Sequence, residues 1–297
     1  MLFTEKTAAE KRVALRAALA SGHLLRFPGA HAPIVAMEAE RHGFEGIYIS
    51  GAALSADLGL PDIGLTTLPE VVQRGRQIAR VTSLPALIDV DTGFGEAMNA
   101  ARTIQELEEL GLAGCHLEDQ VNPKRCGHLD NKVLVARDEM VRKIRAAVGA
   151  RRDANFLIMA RTDARASEGM TAAIDRARAY VDAGADAIFP EAMQDAGEFE
   201  TFRKAVPVPL LANITEFGKT PLLTAKQLAD IGYNIVIYPV TTLRLAMKAV
   251  RDGLAEIAAT GTQTGVLDRM QTRKELYDLI RYEDYNRFDR SVFNFRI

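Results

Sequence analysis

Asp89-Val90-Asp91 places two carboxylates two residues apart at the end of an apolar run, Pro85 to Asp89. Side chains alternate along an extended backbone, so both acids are expected on one face. Two carboxylates held side by side repel unless a proton or a cation lies between them. Gly93 and Gly95 loosen the turn that follows, and Glu118 ends the next apolar run as a third member, directly or through water. Oxygen donors with neither His nor Cys among them suit Mg2+, which keeps several waters and takes one or two carboxylates plus substrate oxygens; Mn2+ is the alternative ion. A D-x-D pair is common in surface loops, and its place at a strand end is what favours a metal here.

Lys124-Arg125-Cys126-Gly127-His128 is the densest cluster of reactive side chains in the chain. Cationic neighbours lower a thiol's pKa and bring proton exchange within reach of neutral pH. The same cations could grip substrate carboxylates, or form a solvated basic loop around an incidental cysteine. Cys115 runs out of phase with His116 and Glu118, so it is expected to pack beneath the helices as a small hydrophobe. His116 is either a buried structural residue or a support for the acids, with the structural role favoured. His23 and His42 read as peripheral, and His31 as a candidate for the mouth after the first strand. Arg161, Arg244 and Arg273 offer planar donors for bidentate carboxylate recognition, which points to a ligand with several carboxylates. No P-loop, dinucleotide fingerprint, Ser-His-Asp order or zinc spacing occurs.

These residues need a scaffold that gathers them. Eight apolar runs recur: 24–27, 46–50, 85–89, 114–118, 156–161, 187–190, 210–213 and 235–238. Helical periodicity separates them, as at Met140, Val141, Ile144, Ala147 and Val148 behind Asp138, read as an N-cap. Strand and helix alternate without a linker or composition break, so the spacing predicts one α/β domain over 1–297, a (β/α)8 barrel of the TIM type. An N-terminal helix over 1–22 and a C-terminal helical extension from about 260 to 297 complete it. Tyr48, Ser50, Asp89, Glu118, Arg161, Glu191, Asn213 and Tyr238 all fall at predicted strand ends, where such barrels carry their chemistry. The 19 residues from Asp119 to Arg137 show no clear helix or strand pattern and read as a catalytic lid. Tyr277, Tyr282, Tyr285, Phe288, Phe293 and Phe295 crowd the last 21 positions, and self-association is favoured over docking on the same chain.

Composition removes other classes. With 37 Lys and Arg against 39 Asp and Glu, the net charge is -2, which provides no footprint for nucleic acid or an anionic membrane. A hydrophobic fraction of 48% is that of a folded globular protein, not a disordered one. Two cysteines make no disulfide framework, and neither a signal-peptide core nor a membrane-length apolar run occurs, so a cytoplasmic enzyme is expected.

The lid and strand-end motifs carry a resemblance. Asp89-Val90-Asp91-Thr92-Gly93-Phe94-Gly95, His116-Leu117-Glu118-Asp119-Gln120 and the Lys124 to His128 run resemble the isocitrate lyase and phosphoenolpyruvate mutase superfamily. The likeness continues through Tyr48-Ile49-Ser50-Gly51, Gly59-Leu60-Pro61-Asp62, Met159 to Ala164, Phe189-Pro190-Glu191-Ala192, Asn213 to Gly218 and Met270-Gln271-Thr272-Arg273, nearly the whole chain. The Cys-Gly-His loop resembles the carbon–carbon lyases of that superfamily rather than its mutases and hydrolases. The resemblance implies Mg2+ near Asp89, Asp91 and Glu118. It implies a tricarboxylate substrate held by Ser50, Gly51, Ala52, Asp62, Cys126, Gly127, Arg161, Glu191, Asn213, Thr215, Arg244 and Arg273. The implied activity is cleavage of 2-methylisocitrate to pyruvate and succinate, in propionate catabolism through the methylcitrate cycle. Cys126 would then be the acid that reprotonates succinate, tuned by Lys124, Arg125 and His128, with Tyr48 or Glu191 as the base. Isocitrate, dimethylmalate and phosphonate chemistries are the alternatives, and a length of 297 residues leaves no room for the insertion of the longer isocitrate lyases. A homotetramer with exchanged C-terminal helices is also implied. Ala52-Ala53 departs from the more Gly-rich turn of familiar members, which alters the expected substrate cradle.

Overall fold

In the computed structural model of this chain, residues 4–127 and 131–293 are described. Eight strands appear within one residue of the apolar runs: β1 (Leu25–Pro28), β2 (Ile47–Ile49), β3 (Ala86–Asp89), β4 (Gly114–Glu118), β5 (Leu157–Thr162), β6 (Ala187–Pro190), β7 (Leu211–Asn213) and β8 (Ile235–Tyr238). All pairings are parallel and follow chain order, β2 through β6 in one ladder and β7, β8, β1 in another. Single parallel bridges, Gly29 to Tyr48 and Ile188 to Leu210, join the two ladders at both seams. This is the expected (β/α)8 arrangement.

The strands are apolar throughout because both of their faces are covered. One phase, with Phe27, Tyr48, Leu87, Leu157, Phe189 and Ile237, fills the barrel interior. The other, with Ile49, Ile88, Leu117, Ile158 and Ile188, meets the surrounding helices, and Cys115 lies there as expected. Cutting the fully buried Leu157 back to Ala would cost about 2–5 kcal/mol by lost transfer energy and the cavity left behind.

The N-terminal helix, Ala8–Ala20, starts at a reciprocal Thr7–Glu10 capping box. Its Leu15 and Leu19 join the interior cluster, and Arg12 donates to the Leu112 carbonyl at 2.8 Å and pairs with Asp153 at 3.0 Å. One end of the barrel is thereby plugged, which leaves the C-terminal strand ends as the open face.

Several expectations need adjustment. The helix Arg137–Ala150 begins at an Ala136 cap, so Asp138 lies inside its first turn, where it offsets the positive helix end instead of capping it. The lid stem is not patternless: Val121 N–H donates to Val133 O at 2.8 Å, and Val135 N–H to Asp119 O at 2.9 Å. These bonds pair residues too far apart in sequence for periodicity to show. The C-terminal extension divides. Helix Arg273–Leu279 packs on helix Pro33–Arg41 of the same chain and buries Leu279, while the aromatics Tyr277, Tyr282, Tyr285, Phe288 and Phe293 stay exposed. Helix Thr241–Thr260 buries nothing and exposes Leu245, Met247, Val250, Leu254 and Ile257. Phe295 lies outside the described residues. No described helix is long and apolar enough to cross a membrane.

Candidate active site

The open face holds a cavity of about 270 Å3. Tyr48, Ser50 and Ala52 enter it from the end of β2, Asp89 from β3, Arg161 from β5 and Glu191 from just beyond β6. Asn213 and Thr215 follow β7, and Arg244 comes from the start of the helix after β8. The loop after β4 adds Lys124, Cys126 and Gly127, and Asp62 reaches in from the segment after β2.

Other expected residues stand elsewhere. Asp91 and Glu118 are buried beneath the cavity, not on its wall. Gly51 gives its N–H to Asp89 Oδ2 at 3.2 Å, so in this arrangement that donor serves the carboxylate and not the cavity. Arg273 is exposed at the start of its short helix, outside the lining. His128 lies outside the described residues. His31 is absent from the lining too, its Nδ1 3.4 Å from Thr242 Oγ1.

Asp89 and Asp91 come together, but not by strand alternation. β3 ends at Asp89, and Asp91 adopts φ +48°, turning the chain so that its N–H meets Asp89 Oδ1 at 3.0 Å. Burial first, then repulsion from Asp89, raises Asp91 to about 6. Glu118 is raised well above the ordinary carboxyl value, again chiefly by burial, with Arg161 opposing, and its Oε1 finds no hydrogen-bond partner. Lys124 drops into this acidic layer. Its Nζ pairs with Asp62 and lies 2.9 Å from Asp91 Oδ1. Burial alone would lower its pKa, yet Glu118, Asp91, Asp89 and Asp62 together hold it above the ordinary lysine value. Lys124 therefore engages the carboxylates and is not a satellite of Cys126, as its place in sequence had implied. Arg125 is exposed, with its backbone tied to the Gln120 amide at 2.8 and 2.9 Å.

The donors present fit a hard cation. A Cβ on Gly51 would stand 2.9 Å from Asp89 Oδ2 and 3.2 Å from Asp91 Oδ1, so only glycine leaves this approach open. Among the described residues no three His, Cys, Asp or Glu side chains form a ready-made ligand group.

Arg161 is immobilised from every side. Its Nε lies 2.9 Å from Asp163 Oδ2 and 3.1 Å from Glu118, its Nη2 is 3.2 Å from Glu191, and its guanidinium sits 5.0 Å above the Phe189 ring. Burial opposes the charge, but Asp163, Glu118 and Glu191 keep Arg161 protonated. Asp163 shows the converse: burial would raise it, yet Arg161 and Lys132 pull it down to about 2. Tyr48 Oη lies 2.7 Å from His116 Nε2, with the rings stacked at 11°. Burial, then Asp89, raises the Tyr48 phenol well above its ordinary value, and burial lowers His116 to about 4, so both are neutral. His116 thus buttresses Tyr48 from within the barrel.

Sequence reading missed Asp163 and Lys132, which hold Arg161 and the lid, and the rim residues Glu216, Phe217 and Val240. A signal existed for Asp163, a charge two residues past Arg161 on the same strand phase. For Lys132, in a loop without periodicity, there was none.

Mutually paired acids and bases at the open end of a parallel barrel define the class as an α/β-barrel enzyme. The chain belongs to the phosphoenolpyruvate mutase and isocitrate lyase superfamily: the sequence model of phosphoenolpyruvate phosphomutase matches residues 15–258. A relative described as probable 2-methylisocitrate lyase 1 of Corynebacterium glutamicum is 63% identical, covering 96% of this chain and 94% of its own. A 2-methylisocitrate lyase of Aeropyrum pernix is 54% identical over 89% and 85% of the two chains. Among solved structures, a phosphonopyruvate hydrolase complexed with oxalate and Mg++ superposes with a TM-score of 0.86 at 36% identity, covering 95% of this chain and 99% of that one.

Proposed function

We propose that this chain is a carbon–carbon lyase that cleaves 2-methylisocitrate to pyruvate and succinate. The observation that carries the reading is the seating of the Cys126-Gly127 loop against Arg161 and Glu191, over the acidic layer of Asp89, Asp91 and Glu118. The two relatives bearing that activity in their names support it. Mg2+ is the cofactor that the oxygen donors favour, with Mn2+ able to replace it, and the Mg++ in the phosphonopyruvate hydrolase agrees. Asp89 and Asp91 would hold the ion, with Glu118 acting through water. When bound it supplies positive charge to the oxygens on which negative charge develops.

The chain's own residues supply the rest. Arg161 and Arg244 bind substrate carboxylates, with Asn213, Thr215 and Ser50 fixing the remaining oxygens. Arg273 is a further candidate that must move inward or come from another subunit. A base removes the proton of the substrate hydroxyl; the C=O of pyruvate forms as the adjacent C–C bond breaks. The electron pair passes to the succinate carbon and spreads into its carboxylate, where Arg161 stabilises it. Cys126 Sγ–H then protonates that carbon, and the proton held by the base restores the thiol through solvent. Of the two bases expected, Tyr48 holds its own proton firmly, which favours Glu191 as acceptor and leaves the Tyr48 hydroxyl to orient substrate. Lid residues exclude the water that would quench the carbanion.

The exposed apolar face of helix Thr241–Thr260 supports assembly as a homotetramer through its C-terminal helices. A cytoplasmic place in propionate breakdown is part of the same proposal. The test is Cys126→Ser: turnover falls at least about 1,000-fold while Mg2+-dependent binding of 2-methylisocitrate, measured by calorimetry, stays within about threefold. A near-normal kcat would remove Cys126 from this role.

A further inference from the structure

The loop that carries Cys126 is fastened by a residue outside the reacting set. Lys132 is buried, and its Nζ donates to the Gly127 carbonyl and, at 2.8 Å, to Asp163 Oδ1. The same Asp163 carboxylate accepts from Arg161 Nε at 2.9 Å and Nη2 at 3.2 Å. Asp163 is itself anchored, its N–H donating to Asp119 Oδ1 at 2.9 Å. Gly127 is pressed so closely on the pair behind it that a Cβ there would fall 2.4 Å from Arg161 Nη2.

We infer that Lys132 is a positioning residue, the latch that docks the Cys126 loop onto Arg161 through their shared anchor Asp163. A buried ammonium with two oxygen partners fixes the carbonyl one residue beyond the thiol. The loop's seating and the aim of the guanidinium are thus set by one carboxylate. An acid that must reach a carbanion held by Arg161 needs that registry, since an error of about 1 Å costs on the order of 100-fold in rate. The inference takes Cys126 and Arg161 as working groups of the proposed reaction, but its primary readout does not depend on turnover.

The experiment measures iodoacetamide modification of Cys126, resolved by peptide mass spectrometry in the full-length protein without substrate. It is run at pH 9, so that loss of a nearby cation does not dominate thiol ionisation. Cys115, 1% exposed, reports global unfolding in the same sample. Removing hydrogen bonds made by a buried charge raises the population of the lifted loop about tenfold to 100-fold. Lys132→Met should therefore modify Cys126 at least about tenfold faster with Cys115 still protected, and Lys132→Arg should return the rate to within about threefold of wild type. In turnover, Lys132→Met should lower kcat about tenfold or more while KM moves less than about threefold. A Cys126 rate within about twofold of wild type in Lys132→Met, with Cys115 protected, overturns the latch. If that variant exposes Cys115, Lys132→Ala, which removes the donor and leaves room for water beside Asp163, decides by the same criterion. Absence of turnover on 2-methylisocitrate would refute the proposed reaction and leave the modification result standing on its own.

Discussion

Gly127→Ala is the sharpest perturbation of the site. The added methyl would lie 2.4 Å from Arg161 Nη2, 2.5 Å from Glu191 Cγ and 2.6 Å from Glu191 Cδ. Ordinary contact begins near 3.4 Å, so something must yield by about 1 Å. Arg161 is the less able to move, being held by Asp163, Glu118 and Glu191 and lying over Phe189. The loop must lift instead, carrying Cys126 away from the substrate carbon. A displacement of about 1 Å corresponds to roughly a 100-fold loss, or about 2.7 kcal/mol on the barrier. The barrel interior is untouched, so stability should fall by no more than about 1.5–3 kcal/mol, the worth of the Lys132–Gly127 hydrogen bond that a lifted loop gives up. The assay follows pyruvate release under saturating 2-methylisocitrate and Mg2+, with thermal melting alongside. A kcat within about threefold of wild type would refute the reasoning that the loop is seated on a fixed Arg161.

Other consequences follow from the same contacts. Asp163 has its folded pKa depressed from 3.8 to about 2, so its contribution is present above pH 4 and is lost as pH falls from about 4 to about 2. Nearly two units at about 1.36 kcal/mol each give about 2 kcal/mol; urea unfolding of wild type against Asp163→Asn should show a gap at pH 5 that shrinks by about half at pH 3. Chelation with EDTA should abolish turnover, excess Mg2+ should restore it and Mn2+ should restore part; full activity after exhaustive chelation would contradict the metal reading. Leu254→Glu on the bare helix should lower the assembled mass seen by light scattering, whereas an unchanged mass would take that face out of the assembly.

The barrel was legible because its strands are covered on both faces, which writes each as an unbroken apolar run with a polar residue at its end. Cys115 and His116 could be separated by phase alone, one outward into the helix layer and one inward beside Tyr48. What the sequence hid was conformation outside regular structure. Asp91 meets Asp89 through a left-handed turn that no alternation rule describes. Lys124 sits two positions from Cys126 yet spends its charge on Asp62 and Asp91 across a loop. The Lys132–Asp163 pair joins residues 31 apart and depends on how the lid folds back. Arg273 begins a helix docked on the outer face of the chain, and spacing alone held no information about which surface that helix would choose.

The most direct test of the central claim incubates the purified protein and Mg2+ in parallel with 2-methylisocitrate, isocitrate, 2,3-dimethylmalate and phosphonopyruvate, quantifying every product. Release of pyruvate and succinate in equal amounts from 2-methylisocitrate, at a kcat/KM at least about tenfold above any other substrate, is the predicted result. No release from 2-methylisocitrate, with turnover of one of the others, would contradict the account.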